Sequence, residues 1–164
     1  MNDEMTPLTM LHVIISLIGI GSGFVVLWGL LTSKRLDGWT ATFLISTVLT
    51  SVTGFLFFPL EPFKPSHALG IISLVTLTVA IVARYGKHLM GIWRPVYVIT
   101  VIASFYFNFF ALVFQSFLKV PALHDAAPTQ SEPPFLIAEA VVLILFIAAG
   151  VLATRRFRGT AVTA

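Results

Sequence analysis

Five runs of apolar residues alternate with short polar connections along the chain. The runs extend over about residues 8–31, 41–58, 68–84, 95–117 and 135–154. At a rise of about 1.5 Å per residue, a helix needs about 20 mainly apolar residues to cross the hydrocarbon core of a bilayer. The pattern therefore predicts five transmembrane helices, of which the second and third are at the short end of this range.

The composition supports a membrane protein. Hydrophobic residues make up 57% of the chain and charged residues only 10%, and the mean hydropathy is +0.97. A soluble domain carries about 25% charged residues, so this chain has too few charges to cover a surface in water. We predict an all-α fold, with residues 1–164 forming one transmembrane domain. The chain has no cysteine, which excludes disulfides, thiolate metal sites and cysteine nucleophiles.

Lysine and arginine are concentrated on one side of the predicted bundle. The opposite side has only Lys64 and Lys119. Cytoplasmic loops are the ones enriched in these residues, so we predict an external N-terminus and a cytoplasmic C-terminus. This topology also accounts for the net charge of +3, which points to a lipid bilayer as partner and not to nucleic acid. Two connections and the C-terminal tail carry the remaining basic residues: Lys34, Arg35, Arg84, Lys87, Arg94, Arg155, Arg156 and Arg158.

Titratable and hydrogen-bonding side chains occupy the outer half of the predicted spans. Glu139 lies about one turn into the fifth helix, His12 lies at a similar level in the first, and His67 opens the third. Asn108 and Gln115 are seven residues apart on the fourth helix and should share one face. Because ionisable groups in lipid are costly and usually functional, these five residues are predicted to line a ligand pocket in the outer leaflet.

Polar side chains in the two outer connections are predicted to cap this pocket. The short connection contains Glu61, and the long connection VPALHDAAPTQSEPP contains His124, Asp125 and Glu132. Long ordered connections often have a function. A disordered loop is an equal alternative on the sequence alone.

Small and polar residues form stripes on the first two helices. Gly19 and Gly23 form a GxxxG pair, which allows close approach of a neighbouring backbone. Hydroxyl groups on the second helix are suited to hydrogen bonds between helices. Simple packing is the plainer interpretation of both stripes, which are His12, Ser16, Gly19 and Gly23 on the first helix and Ser46, Thr50 and Thr53 on the second.

His12, His67 and Glu139 are candidate ligands of a divalent metal, because two imidazoles and a carboxylate suit zinc, copper or non-haem iron. No short-range ligand spacing supports a metal, since each residue belongs to a different helix. Hydrogen-bonded histidines are the simpler interpretation. Haem held by the two histidines, or a quinone, would use the same pocket, and the leading prediction has no cofactor.

Three stretches of the chain carry a resemblance: LTSVTGFLFF, PSHALGIISL and VPALHDAAPTQSEPPF. In the region from Gly38 to the fifth helix, the chain resembles a group of small, uncharacterised bacterial inner-membrane proteins with about five transmembrane helices. The resemblance implies a bacterial origin, a place in the inner (plasma) membrane and a five-span layout, and it implies no catalytic activity. It draws attention to residues in or near these stretches: Glu61, His67, His124, Glu132 and Glu139.

Motifs of soluble enzymes are absent from the sequence, including GxSxG, HExxH, the Walker sequence and GxGxxG. The leading prediction is therefore a non-enzymatic binding or accessory protein with an outer-leaflet polar pocket. Two alternatives are left open: a redox protein that binds haem or quinone in that pocket, and a transporter or channel subunit. Each is compatible with a homo-oligomer or a larger membrane complex.

Overall fold

The computed structural model describes residues 7–57 and 65–158, and within these ranges every regular element is a helix. Helix α3 continues into a π-helical turn, Val82–Gly86. The all-α class is confirmed. The helices are α1 (Pro7–Leu31), α2 (Asp37–Phe57), α3 (Pro65–Ile81), α4 (Trp93–Lys119), the short α5 (Pro121–Ala126) and α6 (Pro133–Arg156).

Four helices are long and apolar enough to cross a membrane: α1, α3 with its π-helical turn, α4 and α6. Their apolar windows have mean hydropathies from 1.9 to 2.8, although only 11% to 39% of each window is buried. Helices that are apolar on exposed faces are suited to a hydrocarbon environment and not to water. These helices support the prediction of a multi-pass membrane protein.

The observed helices begin a few residues before the predicted spans. The difference is largest for α2, which begins at Asp37 and not near Ala41. Hydropathy does not detect such first turns, because polar residues there are favoured by the orphan N–H groups and the positive end of the helix dipole. The apolar pattern therefore predicted where the helices lie more accurately than it predicted their first residues.

Helices α1 to α4 form a bundle in which each helix packs against the next, and α4 also contacts α1. Helix α6 lies against α4 and α1. At the centre is the ring of Phe105, which is 2% exposed. Four other phenylalanine rings pack edge-to-face against it, namely those of Phe24, Phe43, Phe109 and Phe146.

The two ends of the bundle differ in charge. We call the end formed by residues 32–36, 84–94 and 155–158 the basic end, because these residues carry eight of the ten lysine and arginine residues. We call the opposite end, which carries α5 and the start of α6, the distal end. Exposed aromatic side chains of Trp28 and Trp39 are found near the basic end, as expected at a membrane boundary.

The long connection between α4 and α6 is folded around a small apolar cluster of its own. Phe117, Ala127 and Phe135 are buried there, and Leu123 of α5 packs against them. The rings of Phe117 and Phe135 meet edge-on with centroids 5.4 Å apart. The connection is therefore an ordered element that fixes the distal ends of α4 and α6.

Candidate functional site

Helix α6 carries one titratable side chain before its last turn, Glu139. Glu139 is 8% exposed, and neither carboxylate oxygen has a hydrogen-bond partner among the described residues. Phe135, one turn earlier, is also buried, and Tyr106 of α4 is close enough to Glu139 to interact with it electrostatically. A buried carboxyl group without a partner is costly, so Glu139 is the strongest candidate for a binding residue.

His12 ties α1 to α2. Its Nδ1 lies 2.8 Å from the hydroxyl oxygen of Thr53, and that hydroxyl donates to the carbonyl of Leu49 at 2.7 Å. The imidazole also lies beside Gly54, where an added Cβ would be 3.7 Å from Cε1. The structure therefore places His12 at a helix interface, as expected if its stripe serves packing.

His67 lies in the first turn of α3 and is 3% exposed. Its ring stacks on that of Phe55 of α2, with centroids 6.0 Å apart and an interplanar angle of 25°. The same Phe55 ring would lie 3.0 Å from a Cβ added at Gly70. These close contacts describe a histidine packed between α2 and α3.

The predicted metal ligands contact different parts of the molecule. His12 contacts Thr53, His67 stacks on Phe55, and Glu139 lies near Tyr106. Within residues 7–57 and 65–158, no group of three or more His, Asp or Glu side chains is arranged to hold a metal ion. The structure gives no support to a metal or haem centre built from these residues.

Asn108 and Gln115 are separated by the fold. Asn108 is 6% exposed, and its Oδ1 accepts a hydrogen bond from Ser16 of α1 at 3.0 Å. Its Nδ2 lies beside Gly19, where an added Cβ would be 2.8 Å away. Gln115 is exposed, because the last turns of α4 direct Phe117 and its neighbours towards α5 and α6 instead.

The hydroxyl stripe predicted on α2 bonds mostly within its own helix. Ser46 donates to the carbonyl of Thr42 at 2.7 Å, and Thr50 donates to that of Ser46 at 2.9 Å. Among these three residues, Thr53 also forms a side-chain hydrogen bond to another helix, through His12. Hydroxyl side chains satisfied in this way bring little polarity to an interface.

The side chain of Glu132 forms hydrogen bonds within its own loop. Its carboxylate accepts hydrogen bonds from the Thr129 hydroxyl at 2.7 Å and from the backbone N–H of Ser131 at 3.1 Å. These bonds, foremost the one from the Thr129 side chain, lower the pKa of Glu132 below its ordinary value. Of the other predicted cap residues, His124 and Asp125 are exposed on α5, and Glu61 lies outside the described residues.

We expect the loop around Glu132 to loosen in acid. Because its folded-state pKa is lowered, its stabilising contribution is complete above the ordinary glutamate pKa and is lost as pH falls through the lowered value. Amide hydrogen exchange at Thr129 and Ser131, corrected for the intrinsic rate, should show protection falling over this window. In Glu132→Gln, the protection of these amides should be lower than in the wild type at neutral pH, and it should not change as pH falls through the same window. Constant protection in the wild type would contradict the expectation.

Arg84 was predicted to be one of the charges of a connection, and it is instead buried at the basic end. It is 1% exposed and lies in the π-helical turn after α3. Its Nη1 donates to the Tyr97 hydroxyl at 2.9 Å, and its Nη2 donates to the Arg35 carbonyl at 3.1 Å. The same Nη2 forms an ion pair with Asp37. One side chain therefore joins the start of α2, the end of α3 and α4.

The sequence contains a signal that could have predicted the pairing of Arg84 with Asp37. Asp37 is the only acidic residue among the basic connections and tail, so it has no topological explanation and should have a cationic partner. Arg84 follows directly on the third apolar run, where a buried partner can be reached. Guanidinium groups suit such buried pairing because they present several donors in a fixed plane.

Comparisons of the chain with protein-family models, with curated proteins and with solved structures found no match. The resemblance to small bacterial inner-membrane proteins therefore stays a prediction. Function has to be argued from the site itself and not from the fold.

Proposed function

We propose that this chain is a non-enzymatic binding or accessory protein of a bacterial inner membrane, with its ligand site around Glu139 in the outer half of the bundle. The observation that carries the proposal is the buried Glu139 carboxylate, for which the described residues supply no hydrogen-bond donor. A ligand that supplies a donor would offset the cost of burial.

The proposed topology has five spans. Helix α2 is 21 residues long, which corresponds to about 31 Å at 1.5 Å per residue, close to the thickness of the hydrocarbon core. A connection of residues 32–36 alone separates it from α1, and α2 packs along both α1 and α3. Because α2 starts beside the end of α1 and runs back along it, a bilayer crossed by α1 would also be crossed by α2.

The proposed orientation places the basic end in the cytoplasm. Eight of the ten lysine and arginine residues belong to this end, as the positive-inside rule requires. Aromatic residues there bind the cations: Lys34 Nζ lies 4.7 Å from the Trp28 ring and Lys87 Nζ lies 5.6 Å from the Trp93 ring. With the basic end inside, Glu139 lies in the outer half of α6.

The ligand proposed for this site comes from the lipid phase and donates a hydrogen bond or carries a positive charge. Helix α6 contains a strongly apolar window with a mean hydropathy of 2.8, and only 11% of this window is buried. A molecule dissolved in the bilayer can therefore approach it. The phenol of Tyr106 on α4 would give the ligand a second polar contact beside the carboxylate.

A carbodiimide that partitions into the bilayer tests the site. Dicyclohexylcarbodiimide should modify Glu139 in isolated membranes, as peptide mass spectrometry would show, and a lipophilic tertiary amine such as dodecyldimethylamine should slow the modification. Glu139→Gln should show no modification on the same peptide. Failure to modify Glu139 in the wild type would mean that the lipid phase does not reach the carboxyl group, which contradicts the proposal.

A quinone provides the comparison that separates the redox alternative from the proposal. Decylubiquinone offers only hydrogen-bond acceptors, whereas the protonated amine offers an N–H donor and a positive charge, so a carboxylate that needs a donor should be protected by the amine and not by the quinone. Protection by the quinone alone would favour the redox alternative. Glu132, which is partly exposed in the loop and already hydrogen-bonded, is an internal control for carboxyl groups outside the bilayer.

A further inference from the structure

An apolar groove runs along the outer surface between α4 and α6. It has a volume of about 480 Å³, within the range of about 300–1,000 Å³ that is typical of ligand sites. Ile99, Ala103 and Tyr106 form the α4 wall, and Leu143, Gly150 and Arg155 belong to the α6 wall. Glu139 lies one helical turn beyond Leu143 and does not line the groove, whereas Tyr106 borders both the groove and the Glu139 site.

The groove has a charge at one end only. Arg155 belongs to the lining at the basic end, and the lining as a whole is almost entirely apolar, so the alkyl stem of Arg155 and not its guanidinium forms the wall. Arg155 is exposed, and the two ion pairs found in the part of the chain that the structure describes both use Asp37, with Arg35 and Arg84. The guanidinium of Arg155 is therefore available to an anion at the membrane boundary.

The length of the groove suits an acyl chain. Leu143 and Arg155 are twelve residues apart on α6, which corresponds to about 18 Å at 1.5 Å per residue. One leaflet contributes about half of the hydrocarbon core of about 30 Å. A lipid tail that enters beside Arg155 would therefore extend along the groove to about the middle of the bilayer, where Leu143 and Tyr106 close it.

We propose that this groove holds one acyl chain of an anionic phospholipid whose phosphate is bound by Arg155. Basic sites between transmembrane helices on the cytoplasmic side are suited to anionic headgroups. A second copy of the chain fits the groove less well, because copies with the same orientation in a membrane bring their basic ends together. A phosphate neutralises Arg155, whereas a second basic end would repel it.

The test compares two neighbouring arginines. In detergent micelles of the full chain, added phosphatidylglycerol should raise the melting temperature more than phosphatidylcholine does. Arg155→Gln should raise the phosphatidylglycerol concentration for half-maximal stabilisation about fivefold, since one basic residue near anionic lipid contributes about a factor of five. Arg156→Gln is the matched control, because Arg156 is equally exposed but does not line the groove, and it should stay close to the wild type.

A second variant tests the acyl chain itself. Gly150 lines the groove, and an added Cβ there would meet Ile102 at 3.6 Å, which is ordinary contact. Gly150→Ala should be tolerated, whereas Gly150→Leu should fill the groove and abolish the preference for phosphatidylglycerol. Equal losses in Arg155→Gln and Arg156→Gln would show a diffuse basic surface and overturn the proposal. A dimer in native mass spectrometry that Gly150→Leu disrupts, without a lipid preference, would overturn it in favour of a second copy.

Discussion

Replacement of Arg84 by alanine should lower the free energy of unfolding by about 3–5 kcal/mol, in the range found when a large buried side chain is truncated. The guanidinium is 1% exposed and joins three helices through Tyr97, the Arg35 carbonyl and Asp37. Its loss would remove all these contacts and leave a cavity behind them. Unfolding in mixed detergent and dodecyl sulfate micelles, followed by circular dichroism, measures the change.

Two further variants separate the contributions of this contact. Asp37 has a side chain that is 71% exposed, so Asp37→Asn should cost less than Arg84→Ala, about 1 kcal/mol, because water screens an exposed partner. Arg84→Lys keeps the charge without the planar donor group and should fall between them. Arg156→Ala, at an exposed position, should change the stability by less than about 0.5 kcal/mol. Equal effects of Arg84→Ala and Arg156→Ala would contradict the buried network.

Replacement of Gly23 by alanine should lower the free energy of unfolding by about 1–3 kcal/mol, the usual cost of overpacking. A Cβ at Gly23 would lie 2.6 Å from Cδ2 of Phe105. Real atoms do not approach so closely, and the ring cannot retreat because other phenylalanines meet it edge-on from several sides. The same dodecyl sulfate titration measures this variant.

Gly21 provides the matched control for this prediction. It lies two residues earlier on α1, and a Cβ added there would meet nothing within 4 Å. Gly21→Ala should leave the stability unchanged or raise it by up to about 1 kcal/mol through helix propensity. Phe105→Leu in the Gly23→Ala background should recover part of the loss. Equal losses for the two glycine variants would show that the α1–α4 contact is not as close as described.

Much of the fold could be predicted because a bilayer imposes long apolar runs, and the runs around α1, α3, α4 and α6 are apolar on nearly every face. Glu139 could be singled out for the same reason, since a lone carboxylate stands out in such a run. The lone Asp37 and the position of Arg84 indicated that these two residues pair, but the extent to which Arg84 is buried and the exposure of Gln115 could not be predicted. Both depend on which neighbour covers each face of a helix, and a run that is apolar all round does not encode that choice.

The ordered structure of the long connection between α4 and α6 could not be predicted from the sequence. Its length alone did not distinguish an ordered element from a disordered one. The order comes from Phe117 and Phe135, which lie at the ends of two helices and enclose Ala127 between them, and from Glu132, whose carboxylate bonds the preceding loop. The contact between Phe117 and Phe135 joins two different helices and therefore requires the helices to be placed first.

In the part of the chain that the structure describes, α6 packs mainly against α4 and α1 among the long helices, which has a consequence for biogenesis. Because synthesis delivers N-terminal segments first, α1 to α4 can assemble before α6 leaves the ribosome. Helix α6 then enters the bilayer carrying a carboxyl group that lipid does not solvate. Its stable insertion should therefore depend on the finished surface of α4, which carries Tyr106, and deletion of α4 alone should release α6 back towards water.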